Sequence, residues 1–254
     1  MTAALRQHLL DSRICGDVAT DRHDNLRNIG RLLDGHPSCT FGLPVPDRTS
    51  EEVLEVMVRL CGVHPDPSYD VGPDTIDVDL CVAALVRVRD RLAVAAAGRQ
   101  RVLLATGHPT GILAIHLAVA AALVVVGCEV LRPDVDDWQW PWDHDSDWAR
   151  RRPRHIRNLG GVHLMAAGGE LMHTHAPDPG VELLRRCEPD LVVADHGWAG
   201  AAAVAGHEVL GFADSNDPAL FVGEEDGLPL VTVPLDDNVR PHLYDPVARF
   251  LTTW

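Results

Sequence analysis

Five short stretches of this 254-residue chain place acids, histidines and small polar residues directly after apolar runs. They are Thr106-Gly107-His108, His173-Thr174-His175, Asp195-His196-Gly197, Asp214-Ser215-Asn216-Asp217 and Asp236-Asp237-Asn238. An apolar run that stops in this way reads as a buried strand ending at a polar edge. In an open parallel sheet the C-terminal strand ends share one edge, and ligands bind there. The five stretches are therefore expected to converge. None would carry that expectation alone.

The residue types suggest the chemistry. Asp195, Asp214, Asp217 and Asp236 offer the oxygen donors that hard divalent cations take, and Asp237 and Asn238 offer the same. Asp195 can also act as a base, or simply cap the following helix; Asp217 before Pro218 can likewise be an Asx-type cap. His173 and His175, two apart, project from one face of a strand. That spacing allows chelation of one ion, or one ligand and one proton carrier. His196 is a further acid or ligand. In "ATGHPTG", Thr106, Gly107, His108, Thr110 and Gly111 form a strand-to-helix turn. The free N–H groups and dipole of that helix start can hold a phosphate. The turn is neither G-x-G-x-x-G nor a Walker A loop.

All 22 basic residues are arginine. Without lysine, Schiff-base catalysis, lysine-linked pyridoxal phosphate and the P-loop are excluded. A phosphate clamp must then use arginine, backbone N–H groups, histidine or a metal, and Arg13, Arg22 and Arg27 in the polar stretch "SRICGDVATDRHDNLRNIGR" are the arginine candidates. A net charge of −15 disfavours nucleic acid and anionic membrane as partners. The six cysteines form no C-x-x-C pair and read as buried thiols of a reducing cytoplasm. The N-terminus does not read as a signal peptide. The run "ILAIHLAVAAALVVVG" carries His116 and is short for a membrane span, so a buried helix is expected. A homo-oligomer is left open.

The elements that must position these residues follow from periodicity. Residues 1–100 read as a mainly helical N-terminal region, a cap or subdomain, with helices at "TAALRQHLLDSRI", "DNLRNIGRLLDG", "TSEEVLEVMVRLCG" and "DVDLCVAALVRVRDRLAVAAAG". Residues 101–254 read as an α/β domain. Strands are expected at "RVLLATG", "CEVLRP", "DLVVADHG", "HEVLGFAD", "LFVGEE" and "LVTVPLDD", alternating with helices. The fold class is α/β: a mostly parallel Rossmann-like sheet with helices on both faces, after a helical N-terminal region. "VHLMAAGGELMHTH" reads as a hairpin about Gly168-Gly169. An insertion spans 134–160, and its Trp- and Arg-rich part, 134–157, reads as a solvated segment and a candidate lid. Asp77 and Asp79 in "IDVDL" form a D-x-D that precedes a helix rather than ending a strand, so they are not read as a phosphatase nucleophile. No G-x-S-x-G is present.

The stretches "GDVAT…N-L-R", "FGL", "DTID", "ATGHPTG", "THAPDP", "PDLVVADHGWAG", "FADSNDPALFVGE" and "VPLDDNV…YDPV" resemble an actinobacterial family labelled phosphatase. The resemblance covers nearly the whole chain, with the 134–157 segment as a departure. The layout is also similar, in architecture alone, to metal-dependent damage-control phosphatases. The resemblance implies a cytoplasmic, divalent-metal-dependent phosphatase acting on a small phosphorylated metabolite, such as a sugar phosphate or nucleotide. Asp195, Asp214 and Asp217 would hold the metal, with Asp236 or Asp237 as further ligands. Asp195, His175 and His196 would be the catalytic set. Arg22, Arg27 and the Thr106–Gly111 turn would meet the phosphate. A lyase or isomerase using His and Asp, or a noncatalytic small-molecule binder, are the competing readings.

Overall fold

A computed structural model describes residues 2–140 and 153–254. The N-terminal region supplies α1 (Thr2–Asp11), β1 (Gly16–Asp21), α2 (Arg22–Leu33), α3 (Pro37–Thr40), α4 (Ser50–Leu60), β2 (Pro73–Ile76) and α5 (Val78–Gly98). Three helix starts are written in the sequence. Thr49 and Glu52 form a full capping box on α4, as the spacing predicts. Asp21 caps α2, and Asp77 caps α5 by accepting from Asp79 and Leu80. The D-x-D is thus a helix cap, with Asp79 paired to Arg6 on the surface.

The remainder supplies β3 (Arg101–Ala105), α6 (Leu113–Val125), β4 (Glu129–Val130), β5 (Arg154–Leu159), β6 (Val162–Ala167), β7 (Glu170–Met172), α7 (Asp178–Arg186), β8 (Leu191–Asp195), α8 (His196–Val204), β9 (Val209–Ala213), α9 (Pro218–Glu225), β10 (Leu230–Pro234) and α10 (Asp245–Leu251). The sheet runs β10-β9-β8-β3-β6-β5, parallel except for β5 at the edge. Leaving aside the two-residue β4, the parallel strands numbered along the chain lie in the order 2-1-3-4-5, a doubly wound arrangement. β4 and β6 share one side of β3, and β7 pairs with the far end of β6. Strands β6, β8 and β9 are buried along their whole length, because helices cover both faces.

α5, α6 and α10 pack on one face, with α1 beside α5 and α10. On the other, α8 and α9 lie on the sheet and α7, α2, α3 and α4 pack over them. One continuous apolar core joins residues of both halves of the chain. No helix among the described residues is long and apolar enough to cross a membrane. The run around His116 is the buried helix α6, as expected.

Two expectations are corrected and one is refined. "LFVGEE" is helix α9, not a strand. Its apolar residues bury against β9, β10 and α4, and a short apolar run does not distinguish the two states. The N-terminal region is not only helical, because β1 and β2 form an antiparallel ribbon. Arg154–Leu159 belong to the edge strand β5, whose Arg154 and Arg157 are suited to an edge that must not pair with another chain. Of the rest of the expected lid, Trp138 and Trp140 pack against the core, and residues 141–152 lie outside the described residues.

Arg22 is also placed differently. Its guanidinium is fully buried, 2.8 Å from Asp74, and donates to the carbonyls of Tyr69 and Asp66. Asn25 and the N–H groups of His64 and Thr75 complete the Asp74 carboxylate. The Arg22 donors tie α2 to the Asp66–Asp74 loop, and the guanidinium is spent on the buried Asp74 carboxylate. Removing one partner strands a charge in the core, so Asp74→Ala is expected to cost about 3–5 kcal/mol in urea denaturation. A loss under about 1 kcal/mol would contradict the arrangement.

Candidate functional site

From β3 the chain turns to one face through α6, and from the neighbouring β8 to the other through α8. The crevice between such strand ends is where doubly wound sheets bind ligands. β8 ends in Asp195, and His196 follows with φ 47°, a left-handed conformation costing a non-glycine residue about 1–3 kcal/mol. This strained elbow sets the imidazole at the sheet edge. Gly197 permits it, since a Cβ there would lie 2.3 Å from the Ala176 carbonyl.

Asp195 is wholly buried. Its Oδ1 accepts from the Gly107 N–H at 2.7 Å and from His196 Nδ1 at 2.7 Å. Its Oδ2 faces Nε2 of buried His116 at 3.5 Å. It makes no side-chain cap bond to α8. The expected helix cap is therefore absent, while Oδ2 has no hydrogen-bond partner among the described residues. Asp195 orients His196, whose proton on Nδ1 leaves Nε2 facing outward. That Nε2 lies 3.5 Å from Asp217 and 3.5 Å from Asp237.

Four further carboxylates gather beyond His196. Asp214 accepts from the Thr20 hydroxyl at 2.6 Å and the Ser215 N–H at 2.6 Å. Asp236 accepts from the N–H groups of Ala19 and Asn238. The β1–β2 register breaks between Asp17 and Asp21, and the irregularity falls at these two donors. Asp217 and Asp237 are each only 5% exposed, yet neither carboxylate accepts a hydrogen bond from the described residues. Three overlapping sets have donor atoms within 4.8 Å of one another: His173, His175, His196; then His196, Asp217, Asp237; then Asp214, Asp236, Asp237.

The histidines form the other wall. His175 Nδ1 donates to the Ser38 carbonyl at 2.6 Å, and its Nε2 lies 2.9 Å from His173 Nε2. Phe41 meets the His175 and His196 rings edge-on. His108 is buried, its ring 4.6 Å from that of His173 and its Nε2 3.8 Å from Asp237.

The Thr106–Gly111 turn does not present a row of free donors. The Gly107 N–H is spent on Asp195, the His108 N–H on Thr106 Oγ1, and the Gly111 N–H leans on the His108 carbonyl. Thr110 is exposed. A Cβ on Gly111 would lie 1.8 Å from the Asp237 carbonyl, so the glycine lets the turn press against the acidic loop. The turn braces Asp195 and Asp237. Arg27 is exposed and paired with Asp24.

Electrostatics follow from this crowding. Burial opposes the charge on His196, but Asp217, Asp195 and Asp237 together raise it to about 10. Burial works upward on Asp195 too, yet His196 holds it at about 2. Asp214 is pushed to about 8, by burial first and Asp236 next. Asp237 is also raised by burial and its acidic neighbours, against the pull of His196. Burial and then the His196 charge lower His108, His173 and His175, although His173 keeps an exposed edge.

Sequence reading placed the five stretches together correctly. It gave no role to Thr20, the Ala19 N–H, His116, Phe41 or the Ser38 carbonyl. The cluster around Thr20 was visible as polar density; the others carry no local signal.

The family model described as Phosphatase matches residues 1–253. The chain is 44% identical over 260 residues to Phosphatase SCO2771 of Streptomyces coelicolor, covering 99% of this chain and 95% of that protein.

The shifts on His196 and Asp214 have one sign, since the fold binds each proton more tightly than the unfolded chain does. Their stabilisation is present at low pH. It drains as pH rises, for Asp214 between 3.8 and about 8 and for His196 between 6.5 and about 10. Thermal melts of metal-free protein should therefore fall from about pH 6 to about pH 9, and less steeply in Asp214→Asn. Equal slopes in both proteins would contradict these assignments.

Proposed function

Because the chain belongs to the Phosphatase family, we propose that it is a divalent-metal-dependent hydrolase of the phosphomonoester of a small metabolite. The observation that carries this reading is the pair of buried carboxylates, Asp217 and Asp237, left without hydrogen-bond donors beside Asp214 and Asp236. A phosphate dianion cannot approach such a site unless cations enter with it. Oxygen donors in this number suit a hard divalent ion. Bound there, a metal would polarise the phosphoryl group and lower the pKa of an attacking water.

The chain's own residues supply the rest. Asp217 and Asp237 hold the cation, with Asp214 and Asp236 behind them. His196, oriented by Asp195, stabilises charge next to the carboxylates. His175, a neutral imidazole on the same wall, turns its Nε2 lone pair toward the site. The recessed carboxylates favour a slender phosphoryl group on a small molecule over a segment of folded protein.

Arg31 takes over the anion-binding role first expected of Arg22. Its guanidinium bonds to Ser38 Oγ at 3.0 Å and to the His36 ring, and lies 3.5 Å from the Asn28 side-chain oxygen. Its partners are Asn28, His36 and Ser38, none of them a carboxylate. Asn28 donates to the Asn216 carbonyl of the acidic loop, and the Ser38 carbonyl accepts from His175, so Arg31 stands at the rim between the two walls.

Protein stripped of metal should release no phosphate from a metabolite panel until Mg, Mn, Co or Ni is restored. Asp217→Asn and Asp237→Asn should each lower kcat/KM at least about 100-fold. Metal-independent turnover, or none with any substrate and metal, would sink the reading. Arg31→Met should raise KM about 10-fold and leave kcat within about 3-fold. An unchanged KM would remove Arg31 from substrate binding.

A further inference from the structure

The histidine wall has the construction of a metal site in its own right. A carbonyl oxygen can only accept, so the 2.6 Å contact with Ser38 puts a proton on His175 Nδ1 and leaves the lone pair on Nε2. The 2.7 Å contact with the Asp195 carboxylate keeps a proton on His196 Nδ1, so a cation at Nε2 would replace the second proton of that ring. Ligating histidines are typically oriented this way, by a carbonyl or a carboxylate on the nitrogen opposite the metal. His173 Nε2 lies 2.9 Å from His175 Nε2, and the three rings sit 4.7 to 5.1 Å apart. Only one proton fits between two Nε2 atoms, and a cation taking both lone pairs replaces it.

This nitrogen set meets the oxygen set through shared neighbours. His196 belongs both to the histidine triad and to the group with Asp217 and Asp237, and Asp237 belongs also to the group with Asp214 and Asp236. We propose that the site holds two divalent ions, one on His173, His175 and His196 and one on Asp214, Asp236 and Asp237. The first position suits a borderline ion such as Zn, Co or Ni; the second suits Mg or Mn. Asp217 lies between them. The inference rests on the metal-dependent reading above, and adds a nitrogen-rich position to it.

The test is a titration of the stripped, folded chain with cobalt chloride. It is followed by visible absorption, which nitrogen donors in low coordination intensify, and by calorimetry for stoichiometry. Wild type should take up about two equivalents. His173→Gln, altered at an exposed position and so not expected to unfold, should bind about one and lose the intense band. His175→Gln should do the same. Asp236→Asn should keep the band and lose the other equivalent. A wild-type stoichiometry of about one, unchanged in His173→Gln, would overturn the second position while leaving a single-metal phosphatase intact. No uptake at all, with metal-independent phosphate release, would overturn both readings.

Discussion

Carboxylates concentrated at one end of a parallel sheet, with a single charged imidazole among them, set the terms for the rest of this molecule. Asp214, Asp217, Asp236 and Asp237 are nearly inaccessible to solvent, and His196 is their cation among the described residues of the site. Like charges this close in a poorly solvated place repel strongly. The fold answers with donors from elsewhere: the Thr20 hydroxyl, the Ala19 N–H, and a protonated His196 held by Asp195. What these donors leave unsatisfied, the outward faces of Asp217 and Asp237, is the part of the site open to a ligand's chemistry.

Building such a site demands close approach. The loop after β3 must lie against the Asp237 backbone, and the elbow after β8 must lie against Ala176; Gly111 and Gly197 are where a side chain would forbid it. The elbow also stores strain at His196. That cost is tolerated because the central strands are buried throughout and helices pack both faces, so the surrounding core holds the backbone in place. Asp195 links the pieces. One oxygen takes the β3 loop through Gly107 and the elbow through His196, and the other faces His116 in α6.

The N-terminal elements share in the site. The ribbon that begins at Gly16 delivers two donors to the carboxylates, and the turn at Ser38 fixes His175. The resemblance motif "GDVAT" has a physical account in this position, because its Ala19 and Thr20 are the donors. Arg22, which looked equally suited to chemistry, is buried with Asp74 and orders a loop. An arginine's type gives no indication of which acceptor it will meet.

Sequence alone determined the sheet, its parallel character and the edge to which the five polar stretches run. Those properties are local: a buried strand must be apolar along its length, and the polar residue that ends it marks the edge. It also showed that no lysine takes part. Tertiary structure decided the roles. Asp195 and Asp214 both follow apolar strands, yet one orients a histidine and the other is pushed toward its neutral form. Asp237 accepts no hydrogen bond from the described residues, while Oδ1 of Asp195 takes two, from Gly107 and His196. Which oxygens are left over depends on donors brought from a distant ribbon, loop and helix, and a carboxylate's sequence neighbours do not reveal that.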